Sequence, residues 1–309
     1  MGYGSYRASD WQKLKASKGI NSNSGSADIF SCNEFKDKYN PRFIDVRESC
    51  DSKDSPFSTP IILGFDSTGS MGYLAEEIAK NSLNKTITEM YDKEPVTNPH
   101  IMCAAFSGPE CGSGAIQVTQ FEADIRIAEQ LLEFNVGKGW NRYSYDSLVW
   151  YFAAKHTKID SYEKRKKKGF IFCIGDEVIC NADDIVLEKD RISSIFNDDV
   201  IVSYNMDNLY KMVSEKYEVF HIITGSTRAI NSWEKLLPGR TAYINEENIS
   251  FLSEVITSIM QLVNGDTKEK ILDQFDEKAS AVVEEALKTI FIKRKPQTVR
   301  SIIEGLIGK

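Results

Sequence analysis

One apolar run that ends in a carboxylate and two hydroxyls constrains the fold of this chain most strongly. Residues 61–65 read Ile-Ile-Leu-Gly-Phe, which is typical of a strand buried on both faces, and Asp66-Ser67-Thr68-Gly69-Ser70 follows directly. The apolar residues beyond this loop recur with helical spacing and predict a helix over residues 70–90, with Ser70 as its N-cap. The pattern therefore predicts a strand, a tight polar loop and a helix, the repeating unit of parallel α/β sheets.

The same loop carries oxygen ligands for a hard cation. Asp66, Thr68 and Ser70 stand at alternate positions and offer one carboxylate and two hydroxyls. Mg²⁺ takes oxygen ligands in near-octahedral geometry and keeps several waters, so a site of few protein charges leaves a position open for a ligand from outside. The loop is therefore predicted to supply half of a Mg²⁺ or Mn²⁺ site.

Strands and helices alternate along the central part of the chain. Six strands are predicted at residues 60–66, 100–106, 115–120, 169–175, 219–224 and 241–244, and further helices at 122–133, 145–157, 206–216, 230–237 and 249–263. The link between the second and third strands is too short for a crossover helix, so one of them is expected to run antiparallel at the sheet edge. The predicted fold is a three-layer, Rossmann-like α/β domain with a mainly parallel six-stranded sheet and helices on both faces.

The sequence Asp66-x-Thr68-x-Ser70 at a strand end resembles the metal-ion-dependent adhesion site (MIDAS) of von Willebrand factor type A domains. The resemblance implies a second carboxylate after a later strand, and Asp176 stands there. It also implies a Thr on a glycine-rich loop between them. The corresponding loop, residues 137–144, contains no Thr, so Asn141 or Ser144 is expected to supply the oxygen, and Asn141 is preferred.

The topology of such a sheet supports the pairing of the two carboxylates. Asp66 and Asp176 both fall at the carboxyl ends of predicted strands, and ligands of open α/β sheets bind beyond those ends, where the strand order reverses. In the family that the motif resembles, a Glu or Asp of another protein completes the metal shell. Trp140, Tyr143 and Tyr73 are the expected rim of that interface.

The likeness extends beyond the motif. Residues 47–52, 121–126 and 174–177 resemble a subgroup of stand-alone bacterial and bacteriophage type A domain proteins, over roughly residues 45–245. Bacterial members often work beside AAA-type ATPases of the MoxR kind, which makes such an ATPase one expected partner. A bacteriophage-encoded structural, assembly or host-interaction protein that uses the fold as a scaffold is the alternative.

The pattern divides the chain into three parts. Residues 1–55 are expected to form a partly flexible N-terminal extension, residues 56–265 the type A domain, and residues 266–309 a C-terminal helical extension. Pro296 breaks that extension, and the last short helix, over residues 299–307, carries an apolar stripe that must dock on another surface. The parent domain is the expected surface, with a partner or a second copy as the alternative.

Composition and charge exclude several classes of partner. A net charge of −7 argues against general nucleic-acid binding, which depends on phosphate neutralisation. The basic run 164–168 is expected to be a solvated loop at the far end of the sheet from the metal, with an anion-binding patch as the alternative.

No apolar run approaches the roughly 20 residues of a membrane span, and no secretory signal is visible. The six cysteines are expected to be reduced, which predicts a cytoplasmic protein.

The sequence offers little support for catalysis. The spacing of Asp66 to Ser70 differs from the contiguous motif of aspartic proteases, and no phosphate-binding loop is present. Metal-assisted hydrolysis would require a general base, but Glu177 is expected to face away from Asp176. The three histidines, His100, His156 and His221, are predicted to pack or to lie at the surface. An interaction module is therefore predicted, with a metal-dependent hydrolase as the second alternative.

Overall fold

A computed structural model describes residues 6–21, 23–30, 34–108, 111, 114–136, 143–180, 184–225 and 227–292. Trp140, Asn141, the side chain of Ser70 and the predicted last helix lie outside what it describes. None of the helices within those ranges combines the length and the hydropathy that a bilayer crossing needs.

The strands confirm the predicted fold class. The described residues form ten strands: β1 (Arg47–Ser49), β2 (Thr59–Asp66), β3 (Pro99–Phe106), β4 (Ile116–Val118), β5 (Thr157–Ile159), β6 (Gly169–Gly175), β7 (Ile185–Leu187), β8 (Tyr204–Asn205), β9 (Tyr217–Thr224) and β10 (Thr241–Ile244). Six of them form the central sheet in the order β10-β9-β6-β2-β3-β4. Every neighbouring pair is parallel except β3 and β4, so β4 is the antiparallel edge strand that the short link predicted.

Helices cover both faces of this sheet. They are α1 (Ala8–Lys18), α2 (Ser26–Ile29), α3 (Gly72–Glu77), α4 (Leu83–Asp92), α5 (Arg126–Leu131), α6 (Asp146–Lys155), α7 (Asp160–Arg165), α8 (Lys189–Phe196), α9 (Met206–Val213), α10 (Ile230–Leu236), α11 (Leu252–Asn264), α12 (Lys268–Leu272) and α13 (Glu277–Ala286). One core contains α1, α3, α4, α11 and α13, and the other contains α6, α8, α9 and α10. Burial on both sides explains the nearly uninterrupted apolar sequence of the central strands.

Side chains of β2 alternate between the two cores. Ile61, Leu63 and Phe65 face the core with α4 and α11, whereas Ile62 faces the core with α6. A Cβ added at Gly64 would lie 3.1 Å from Cys173 Sγ and 3.3 Å from Val149 Cγ2. The absence of a side chain at Gly64 therefore lets α6 approach the sheet closely.

The helix predicted over 70–90 is interrupted. A 3₁₀ turn at Gly69–Met71 precedes α3, and a π-helical segment, Ile78–Ser82, separates α3 from α4. Ser70 lies inside the 3₁₀ turn and Met71 holds the N-cap position of α3, so the prediction of Ser70 as the N-cap is wrong. The sequence carries no periodicity signal for the π segment.

Two segments outside the central sheet also bear on the predictions. The sequence of residues 43–46 allowed either an edge strand or packing along the domain, and the structure has the second arrangement: Pro41–Phe43 is a 3₁₀ turn, Ile44 is buried in the core that contains α6, and Arg47–Ser49 pairs with β5 in a separate parallel sheet. The basic run is not entirely a loop, because Lys164 and Arg165 form the last turn of α7, where cations complement the helix dipole. Arg165 forms an ion pair with Asp51.

Helix α5 is shorter than the predicted 122–133. Glu122 forms an antiparallel bridge with Ile101 through two backbone hydrogen bonds, of 2.8 and 3.0 Å, so the chain is extended there before the helix begins. The segment from β7 through α8 to β8 was not predicted, because its short strands lie at the surface and lack a continuous apolar pattern.

Candidate metal site

The sheet order brings the two predicted carboxylates to one crevice. Asp66 ends β2, and Asp176 follows β6, which pairs with β2 so that Phe65 lies opposite Ile174. The chain proceeds from β2 to β3 on one side, whereas β6 lies on the other side of β2. This is the point where the strand order reverses, and it is the usual ligand crevice of an open α/β sheet.

The loop after β2 is closed by hydrogen bonds. Asp66 Oδ1 accepts the backbone N–H of Thr68 at 2.8 Å, and Met71 N–H donates to the carbonyl of Thr68 at 3.0 Å. Ser67 turns toward β3, where its hydroxyl donates to the carbonyl of Phe106 at 3.1 Å. Asp66 and Thr68 are only 1% and 2% exposed, so both are shielded from bulk water.

Ser144 lies beside the same crevice. A Cβ added at Gly175 would lie 3.6 Å from Asp66 Cβ and 3.9 Å from Ser144 Oγ, so these two side chains flank the end of β6. Ser144 N–H donates to the carbonyl of Val178 at 2.9 Å, which ties its loop to the segment after Asp176. Of the two predicted third ligands, Ser144 is thus placed at the crevice, while Asn141 lies outside the described residues.

Asp176 carries the observation that most favours a cation. Its Oδ1 atom is buried and has no hydrogen-bond partner among the described residues. Burial raises the pKa of Asp176, Glu177 raises it further, and a backbone hydrogen bond and Arg228 oppose these effects. A buried carboxylate oxygen without a donor is unfavourable, and a bound cation would compensate it.

The donor set fits Mg²⁺ better than a soft metal. Among the described residues, no three His, Cys, Asp or Glu side chains cluster in a way that could hold an ion. The crevice instead has two carboxylates and the oxygens of Thr68 and Ser144, and hydroxyl, carboxylate and water oxygens suit Mg²⁺ or Mn²⁺.

A fully buried, hydrogen-bonded pair of residues, Asp146 and His221, lies behind Ser144. Ser144 Oγ donates to Asp146 Oδ1 at 2.6 Å, and His221 Nδ1 lies 2.8 Å from Asp146 Oδ2. Asp146 and His221 are both 0% exposed, so neither can reach a substrate. The sequence predicted that His221 packs or lies at the surface, and the structure places it in the core; its partner, 75 residues away, was not predicted. Asp146 stands at the start of an otherwise mostly apolar helix, and this position was the sequence signal that could have indicated a buried partner for it.

The Asp146–His221 pair is also linked, through Trp233, to the loop that holds Asp176. The imidazole of His221 stacks on Trp233 with ring centroids 3.6 Å apart and planes 9° apart. Trp233 Nε1 donates to the carbonyl of Glu177 at 3.0 Å. The Glu177 carboxylate pairs with Arg228 at 2.5 Å.

The predicted rim residues differ in their surroundings. Tyr73 is half-buried, and its hydroxyl donates to Thr224 Oγ1 at 3.2 Å, at the end of β9. Burial raises the pKa of Tyr73, Thr224 opposes this, and Glu246 and Asp176 add to it, which places Tyr73 within electrostatic reach of the crevice. Tyr143 and Ser144 line a neighbouring cavity of about 370 Å³ together with residues of β7 and α8.

Comparison with known proteins gives structural neighbours of low similarity. The sequence matches no family model and no curated protein. The structure is similar to that of a von Willebrand factor type A protein from Catenulispora acidiphila, with a TM-score of 0.41, 10% identity, and coverage of 66% of this chain and 42% of that one. The neighbours thus include type A domains.

Two further structural neighbours are pilus proteins by name. They are the vWF domain of the type V pili tip protein Mfa5 from Porphyromonas gingivalis (TM-score 0.42, 9% identity, 68% of this chain and 97% of that one) and the pilus adhesin SpaC from Lactobacillus rhamnosus GG in its open conformation (0.45, 10%, 69% and 31%). The chain spans under half the length of SpaC and of the Catenulispora protein. The fold class rests on this structure itself, on the strand order of the mainly parallel sheet and the helices on both of its faces.

Proposed function

We propose that this protein is a divalent-metal-dependent protein-interaction module. Asp66, Thr68, Ser70, Asp176 and Ser144 would hold Mg²⁺ or Mn²⁺, and an acidic side chain of another protein would complete the metal shell. The observation that carries the proposal is the buried Oδ1 of Asp176, which has no hydrogen-bond partner among the described residues, at the crevice where Asp66 and Ser144 also lie.

The charge of the ligand set explains why a partner would bind. Two carboxylates and neutral hydroxyls leave a divalent cation with affinity for one more anionic oxygen. When bound, the ion would supply a Lewis-acidic position for a carboxylate. The protein's own residues would orient the ligand oxygens, since Asp66 and Thr68 are almost completely buried and Asp66 accepts the backbone N–H of Thr68, and the remaining coordination positions would be left to water or to the partner.

Ser144 is proposed as the third element of the site, because it is a predicted ligand that lies beside the crevice. The Ser144 hydroxyl lies at the end of β6 and is part of a hydrogen-bonded network, which limits its freedom. Asn141 remains the alternative that the motif resemblance favoured. Tyr73, Tyr143 and Trp140 are proposed as the rim that contacts the partner.

The partner is defined here by its chemistry, an exposed Glu or Asp on a protein surface. An AAA-type ATPase of the MoxR kind and a bacteriophage assembly or host protein are the two candidate sources. No observation favours the hydrolase alternative, because Glu177 is paired with Arg228 and His221 is fully buried. A general base must reach the reacting group.

Water-proton relaxation of bound Mn²⁺ tests the open coordination position directly. Mn²⁺ bound to the protein is expected to enhance relaxation through its exchangeable waters. A peptide with one central Glu should then reduce that enhancement, because its carboxylate replaces a water. The same peptide with Gln is the matched control and should have no effect.

Each outcome has a separate meaning. No enhancement with the wild type would contradict the metal site. Enhancement that the Glu peptide does not change would leave a metal site but contradict the interaction mechanism. Enhancement that persists in Asp176→Asn would place the Mn²⁺ elsewhere on the protein.

A further inference from the structure

We propose that Asp146 and His221 form a positioning layer behind the candidate metal site and orient the Ser144 hydroxyl as a cation ligand. The inference rests on the proposed function, because Ser144 can act as a ligand only if a cation binds at the crevice. It goes beyond that function by assigning a role to two fully buried residues of the core.

The direction of the Ser144 hydroxyl proton decides whether this side chain can bind a cation. A Ser hydroxyl has one proton and two lone pairs, and it can bind a cation only when the proton points elsewhere. Asp146 Oδ1 accepts that proton at 2.6 Å, a short distance that is typical of a hydroxyl donating to a carboxylate. The lone pairs of Ser144 Oγ are thereby left for another partner.

Hydrogen bonds to both oxygens hold the Asp146 carboxylate in place. A carboxylate with no solvent exposure requires donors on both oxygens. Ser144 serves Oδ1, and the Nδ1–H of His221 serves Oδ2 at 2.8 Å, since a carboxylate can only accept. Burial raises the pKa of the Cys173 thiol well above its usual value, and the thiol adds a weak hydrogen bond to Asp146. His221 is therefore the strong donor that fixes the orientation of the Asp146 carboxylate.

Stacking on Trp233 and the hydrogen bond to Asp146 hold His221 in place. Its ring is packed flat against Trp233, and its Nε2 atom has no hydrogen-bond partner among the described residues, so Asp146 is its one directional contact there. Trp233 Nε1 and Ser144 N–H bind two consecutive carbonyls, those of Glu177 and Val178, just after Asp176. The layer is thus linked to the segment after Asp176 through Trp233 and through Ser144.

Two substitutions at His221 separate positioning from packing. His221→Phe keeps a flat ring against Trp233 but removes the Nδ1 donor. His221→Asn loses the ring but places an amide nitrogen where Nδ1 was. Loss of a second-layer partner typically weakens metal binding about 10- to 100-fold, so we expect that loss of Mg²⁺ affinity in His221→Phe and near-wild-type affinity in His221→Asn.

Two readouts are needed, the Mg²⁺ affinity by calorimetry and the free energy of unfolding of the metal-free protein in urea. Both His221 variants are expected to be less stable than the wild type. His100→Phe is the matched control, because His100 is also buried and bonds to Ser49 and Ser55 near the start of β3, at the opposite end of the sheet. It should lose stability without losing Mg²⁺ affinity.

A double-mutant cycle tests whether His221 acts through Ser144. Ser144→Ala alone should weaken Mg²⁺ binding, and adding His221→Phe should weaken it little further, because the two residues act in series. If His221→Phe does not fold, His221→Gln replaces it, since the Gln amide cannot occupy the Nδ1 position.

The inference is overturned if His221→Phe binds Mg²⁺ with wild-type affinity, or if His100→Phe loses as much Mg²⁺ affinity as His221→Phe does. It is also overturned if the losses of Mg²⁺ binding free energy in Ser144→Ala and His221→Phe are additive in the double variant. Absence of Mg²⁺ binding to the wild type would contradict the proposed function as well. Binding to the wild type with unchanged affinity in His221→Phe would contradict only the positioning role.

Discussion

The Asp66 carboxylate accepts the backbone N–H of Thr68 at 2.8 Å, so the residue proposed as the first metal ligand also closes the loop that carries the next one. Asp side chains commonly accept the N–H two residues further along the chain, and such turns fix local geometry. The oxygen of Thr68 is therefore placed by the fold before any cation binds.

Substitutions at Asp66 should separate these two roles. Asp66→Asn retains an oxygen that can accept the Thr68 N–H but removes the charge, whereas Asp66→Ala removes both. We expect Asp66→Ala to lower the metal-free unfolding free energy by about 1–2 kcal/mol, and Asp66→Asn to lower it less. Mg²⁺ should raise the thermal stability of the wild type and should not raise that of either variant. Equal Mg²⁺ stabilisation of Asp66→Asn and wild type would refute the charge's role.

Gly64 should be intolerant of a side chain for reasons unrelated to the metal. An added Cβ would press on Cys173 and on Val149, which belong to β6 and α6. We expect Gly64→Ala to destabilise the protein by about 1–3 kcal/mol in urea unfolding. In a Cys173→Ala background the cost should be smaller, since the thiol is the nearest atom. An unchanged unfolding free energy in Gly64→Ala would show that α6 is not held against β2 as described.

Acid should destabilise the protein in part through His100. Burial lowers the pKa of His100 from 6.5 to about 4, and Asp51 opposes this effect. The unfolded chain therefore takes up the proton first, so the stabilisation is complete above pH 6.5 and is lost as the pH falls to about 4. Because a tenfold change in proton affinity corresponds to about 1.4 kcal/mol, the neutral imidazole of His100 contributes a few kcal/mol.

Urea unfolding at a series of pH values measures this contribution. His100→Gln cannot titrate and should show a shallower decline of the unfolding free energy between pH 6.5 and 4 than the wild type. The same slope in both proteins would mean that His100 does not contribute to the acid sensitivity.

The sheet was predictable because its chemistry is local. Each central strand is a short apolar run, and the short link after residue 106 requires a reversal of direction, which β4 provides. The carboxyl-end positions of Asp66 and Asp176 then follow from the topology. Strand bounds agree within two residues, since burial on both faces leaves a continuous apolar pattern.

Other features depend on contacts between distant parts of the chain. The pairing of β1 with β5 joins two three-residue segments that carry no strand pattern of their own. Ser70 was expected at an N-cap, but the 3₁₀ turn extends the entry to the helix by one residue. The Asp146–His221 pair links an acidic residue at a helix start to an imidazole in an apolar strand, and only the packing of α6 on β9 and β6 brings them together.

Calorimetric titration of Mg²⁺ into the metal-stripped wild type, Asp176→Asn and Glu177→Gln tests the central claim most directly. Glu177 is the matched control, because it is the adjacent carboxylate and pairs with Arg228. The account predicts saturable binding to the wild type and to Glu177→Gln, and its loss in Asp176→Asn. No binding to the wild type, or equal binding to Asp176→Asn, would contradict a metal site in this crevice.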